Sequence, residues 1–126
     1  MDDEDEILAR YGLHPQGTDL DEIRGALVAQ TARQGWEDGP DPSVMLVHCV
    51  QLYNAGSLGD VRTVWRAKIR TMDTNGTIDV HLLCGAGLAE TKAYLADQGD
   101  EEARQILDYL LECEAAGDFS AFDVEK

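Results

Sequence analysis

Apolar residues recur at three- and four-residue spacing along most of the chain, with Gly, Pro and Asn between the runs. That is the pattern of an all-α protein. Residues 2–11 form a short helix whose acids lie at its start, where the helix dipole favours them. Pro15 and Gly17 end it. Thr18 caps a second helix with an apolar stripe of Leu20, Ile23, Leu27 and Thr31. Residues 35–40 are a loop carrying Trp36, Glu37 and Asp38. Asp41-Pro42 opens a helix to Asn54, with a capping carboxylate and proline in the first turn. It is apolar nearly all round, so other elements must cover it on several sides. Ala55-Gly56 stops it.

Ser57 or Asp60 starts the next helix, which runs to Met72. Steps of 100° place Val61, Val64, Trp65, Ile69 and Met72 in one arc. Arg62, Arg66 and Arg70 follow the arc's edge, and Lys68 falls inside it. In 71-TMDTNGTIDVHL-82, Asn75-Gly76 is predicted to end that helix with a positive φ, and Thr77 to cap the next segment. Gly85-Ala86-Gly87 interrupts residues 78–97, which are read as one helix with a tight contact or as two. Asp100 caps a last helix to Ala116, striped by Ala103, Ile106, Leu107, Leu110 and Leu111, and Gly117 terminates it. Phe119, Phe122 and Val124 give the tail an apolar side that can dock back. The prediction is a single helical domain over residues 1–126, of five to six helices in a bundle or irregular array. Residues 1–17 and 118–126 are its peripheral segments.

Charge sharpens this picture. The formal net charge is −15. Residues 1–57 carry net −8 and residues 74–126 net −9, while residues 58–73 carry net +2. One mildly basic helix therefore sits in an acidic protein. Such a field repels nucleic acid and anionic membrane and favours basic protein partners. No apolar run approaches the roughly 20 residues that span a bilayer. The acidic start MDDEDEIL is unlike a signal peptide, and Cys49, Cys84 and Cys113 form no C-x-x-C pair. Free thiols suit a reducing compartment, so the expected location is the cytoplasm.

Candidate chemistry is sparse. The centre of 71-TMDTNGTIDVHL-82 resembles an EF-hand loop, with Gly76 on the glycine position and Asp73, Asn75 and Asp79 on ligand positions. Thr71 and Leu82 stand where the anchoring carboxylates belong, so no metal site is predicted. Gly85-Ala86-Gly87 lacks the third glycine of a dinucleotide loop and has Glu90 there instead, so no cofactor is predicted. Cys84, His81 and His48 could supply a nucleophile and base, but free cysteine is among the most buried residue types. Lys68 is expected to snorkel at the helix edge; a buried carboxylate pair and a functional amine are the alternatives. Arg62, Arg66 and Arg70 either bind an anion beside Trp65 or pair with the protein's own acids.

The expected function is protein–protein interaction, with a basic partner favoured by the field, rather than catalysis. The candidate binding surface is Trp36 with its acidic neighbours, or the row of Arg62, Arg66 and Arg70 beside Trp65 and Lys68. The alternative is a ligand-binding or catalytic helical domain with a pocket near Trp65, Lys68, His81 and Cys84. Self-association through an apolar helix face is a third possibility. Neither nucleic acid nor membrane is an expected partner.

Overall fold

A computed structural model describes residues 4–35 and 39–119. Among them are seven α-helices and two short 3₁₀ turns, and no strand. The helices are α1 (Glu4–Tyr11), α2 (Thr18–Ala32), α3 (Pro42–Ala55), α4 (Val61–Lys68), α5 (Met72–Thr77), α6 (Leu88–Gln98) and α7 (Glu101–Ala115). The 3₁₀ turns, Leu58–Asp60 and Val80–Leu83, lead into α4 and follow α5. The described residues are all-helical as predicted, with more helices than the five to six expected. Glu37 and Asp38, like Trp36, Phe122 and Val124, lie outside the described residues.

α3 is central. It packs against α1, α2, α5 and the Val80–Leu83 turn, and its Met45, Cys49 and Leu52 are buried. Asp41 accepts from the Ser43 and Val44 amides at its start. Gly56, at φ 72°, closes its end in the left-handed conformation that glycine adopts without strain. Its polar buried residues bind the α1–α2 connection: Gln51 Nε2 donates to Gly12 O (2.7 Å), and His48 Nδ1 lies 3.2 Å from Gln51 Oε1. α6 and α7 pack together as a hairpin, and α7 also packs on α4. Asp100 accepts from the Ala103 amide. The far end of α7 closes with paired bonds, Asp118 N to Cys113 O and Gly117 N to Glu114 O, the Schellman arrangement. This turn brings Phe119 into the core, 1% exposed.

The largest departure from expectation lies between residues 68 and 80. α4 stops at Lys68 instead of continuing to Met72. The chain restarts as α5, where Thr71 and Thr74 exchange a reciprocal capping box. Asn75-Gly76 is therefore inside a helix, and Gly76 has no positive φ. Asp79, not Thr77, caps the following turn by accepting from the His81 amide. Because the helix breaks, Ile69 and Met72 leave the predicted arc and are 51% and 92% exposed. Two smaller corrections concern caps and stripes. Gly17 occupies the cap position of α2, with Thr18 its first helical residue. Leu111 is 45% exposed, because Ala103, Ile106 and Leu110 face the core.

Gly76 offers a direct check. A Cβ there would meet nothing within 4 Å. Gly76→Ala should stabilise the protein by about 0.5–1 kcal/mol, since alanine loses less backbone entropy in a helix. Urea denaturation reads the change; a loss of stability would instead mean a left-handed turn at this residue.

Candidate functional site

The basic helix is an internal brace. Arg62 donates from both terminal nitrogens to the Asp100 carboxylate (2.6 and 2.7 Å) and also reaches Glu102. Arg66 makes a two-bond fork to Glu102 (2.7 and 2.8 Å). Asp100 and Glu102 open α7, so the first two arginines fasten α4 to that helix start. Arg70 runs the other way. Its Nε donates to Thr31 O (2.7 Å) and its Nη2 to Arg33 O (2.9 Å), carbonyls at and just past the end of α2. A cation at a helix C-terminus also meets the negative end of the dipole. At the head of α4, Arg24 of α2 grips the buried Asp60 through Nε and Nη2 (2.7 and 3.1 Å).

Lys68 does not snorkel, and it makes no ion pair with a carboxylate among the described residues. It is 4% exposed. Its ammonium donates to Asn75 O (2.8 Å) and Ile78 O (2.6 Å), closing the end of α5. Tyr109 lies over it, with the ring centre 5.9 Å away. Burial pushes its pKa down. Trp65 is 8% exposed and stacks at a tilt on Tyr109, with ring centres 5.3 Å apart.

Cys84 is fully buried. His81 sits half-buried in the turn before it, its Nε2 2.6 Å from Asp118 O and its ring edge against Phe119. Burial raises the Cys49 thiol to about 12, far from a nucleophile at neutral pH. His48 is on α3, bonded to Gln51. No group of three His, Cys, Asp or Glu side chains among the described residues could hold a metal ion.

Two outward grooves lie along these helices. One joins α2 and α4, where Val28, Thr31 and Ala32 face Thr63 and Arg66 across a groove of about 200 Å³. Val28, 57% exposed, belongs to it, and Arg70 draws the turn carrying exposed Ile69 and Met72 to the same end of α2. The other joins α6 and α7, where a cavity of about 470 Å³ runs from Leu95 and Ala96 past Gly99 to Asp100, Glu101, Arg104 and Leu107. The helical pattern of the sequence could have suggested this second surface. The predicted α7 stripe was wider than one core-facing side requires: Leu107 packs at the edge of the core, and Leu111 is its surplus member.

The brace should be legible in acid. The Arg62 guanidinium holds the Asp100 carboxyl well below the usual carboxylate range, and Arg66 lowers that of Glu102. A carboxyl depressed in the folded state stabilises it above the unfolded pKa and loses that effect as pH falls. The urea midpoint should therefore drop as pH falls below 4.5, the ordinary glutamate value, and on through 3.8, that of aspartate. Arg62→Gln should make this acid dependence shallower; an unchanged slope would mean that the brace adds no stability.

No protein-family model, no curated protein and no solved structure matches the chain. No helix among the described residues is long and apolar enough to cross a membrane.

Proposed function

We propose that this chain works by binding another protein, and that the partner is basic. The observation that carries the reading is the distribution of charge once internal pairs are counted. Arg62, Arg66 and Lys68 of α4, and Arg70 just beyond it, are taken up by the molecule itself, on Asp100, Glu102 and the carbonyl ends of α2 and α5. Meanwhile Asp97, Asp108 and Glu112 make no ion pair among the described residues and stand exposed. An unneutralised carboxylate surface on a chain of net charge −15 steers positively charged partners and rejects negative ones.

The placement of Trp65, Lys68 and Cys84 supports interaction over catalysis. Each is buried and engaged in packing or carbonyl capping, which leaves no open nucleophile or base among them. Retention of cellular proteins on the immobilised chain tests the reading. The retained fraction should be enriched in basic proteins and should elute as salt rises. Retention that ignores partner charge and salt would contradict it.

A further inference from the structure

We propose that the chain associates with copies of itself head to tail, the outward face of α7 on one copy docking in the groove between α2 and α4 on the next. This contact stands on its own geometry and goes beyond the basic partner inferred above. Val28, Thr31 and Ala32 form one wall of the groove, and Thr63 and Arg66 the other. Arg66 spends Nε and Nη2 on Glu102, while its Nη1 makes no hydrogen bond among the described residues and its side chain is 58% exposed. Arg70 reaches the groove residue Thr31 through its backbone carbonyl, and no described carboxylate pairs with it. Carbonyl partners leave a guanidinium its full charge, so an apolar groove ends beside a cation that no described carboxylate neutralises.

The outward face of α7 is the complement. Asp108, Leu111 and Glu112 share it at three- and four-residue spacing. All three are exposed, and neither carboxylate makes an ion pair or hydrogen bond among the described residues. Leu111 against Val28 removes apolar surface from water on both copies. Asp108 and Glu112 then face the open guanidinium edges of Arg66 and Arg70. Charge disfavours the symmetric alternatives: α7 on α7 sets carboxylate against carboxylate, and groove on groove sets arginine against arginine. The net charge of −15 opposes approach at long range. At about 0.15 M salt, charges more than about 8 Å apart are largely screened, so the groups at the contact decide. Two different patches on one chain make a heterologous contact, which builds rings or open filaments.

Sedimentation velocity of the full chain at about 0.15 M salt is the test. The average mass should climb past that of the monomer as concentration rises. Two variants each remove one surface. Val28→Gln with Ala32→Gln fills the groove, and Asp108→Lys with Glu112→Lys reverses the charge of the α7 face. Each should weaken association by about tenfold or more, leaving monomer at concentrations where the wild type assembles. Mixed in equal amounts, the two variants should form a one-to-one dimer that grows no further, since each supplies the surface the other lacks. All four positions are exposed, and recovery on mixing shows that both variants are folded. Leu111→Gln replaces the charge reversal should that variant lose its helical circular dichroism. A wild type that stays monomeric at every concentration, assembly indifferent to both variants, or a mixture of folded variants that restores nothing would each overturn the proposal. A monomer that still retains basic proteins ends the self-association and leaves the interaction reading standing.

Discussion

Lys68→Met will destabilise the protein by about 3 kcal/mol, since it strips the charged donor from the buried Ile78 carbonyl and from the part-buried Asn75 carbonyl. Ile78 O and Asn75 O both lose their donor, and Ile78 itself is fully buried. Methionine is nearly as long, so the hydrogen bonds rather than the volume are removed. Lys68→Ala adds an unfilled cavity and should cost a further ~1–2 kcal/mol. The damage should be local first: the Ile78 amide, which bonds to Thr74 O (2.9 Å), should exchange with solvent much faster as α5 opens. A pH series gives a second reading. Burial lowers this lysine's pKa from 10.5, so the unfolded chain keeps the proton to higher pH than the folded one. The group's contribution to stability therefore rises as pH climbs from the lowered value towards 10.5, and the difference between wild type and Lys68→Met should grow across that window. A loss below about 1 kcal/mol would mean that water replaces the ammonium at both carbonyls.

Gly85→Ala will cost about 1–3 kcal/mol by overpacking. A Cβ at this position would sit 2.6 Å from Tyr53 O and 3.0 Å from Tyr53 Cα, both backbone atoms of α3. Neither can swing aside as a side chain does. Gly85 links the Val80–Leu83 turn to α6, so the strain would push the α6–α7 hairpin away from the central helix. Thermal or urea unfolding measures the cost. An unaffected midpoint would show that the loop does not rest on α3 this closely.

These two residues also mark how far the sequence could be read. α3 and α7 were legible because their ends carry local chemistry: Asp41-Pro42 and Asp100 at the starts, Gly56 and Gly117 near the stops. Buried Ile23 and Leu27 of α2 followed from spacing alone. Between residues 68 and 80 local signals misled. The apolar arc continued through Ile69 to Met72, and the restart at Thr71 used Thr74 where a capping box ordinarily has Glu or Gln. The Asn75-Gly76 pair then suggested a turn. Missing α5 hid the role of Lys68, whose partners are backbone carbonyls of that helix. The break between the Val80–Leu83 turn and α6 at Gly85-Ala86-Gly87 was one of two readings the glycines allowed. That Gly85 rests on Tyr53, 32 residues earlier in the chain, was not readable from neighbours in sequence.

The candidate site was less legible than the fold. The row of Arg62, Arg66 and Arg70 was visible, but its partners lie far away along the chain, 36 to 40 residues for each, on α2 and at the start of α7. Only tertiary structure shows that the row is occupied from within. Once it is, what the described residues turn outward is carboxylates with no cation beside them and the exposed apolar residues Leu13, Val28, Ile69, Met72 and Leu111.

The most direct test is native mass spectrometry of the chain isolated gently from its source at low salt. A complex with a second protein, basic in sequence and released as ionic strength rises, is the predicted result. A bound small molecule, with no protein companion, would contradict the account and return attention to Trp65, Lys68, His81 and Cys84.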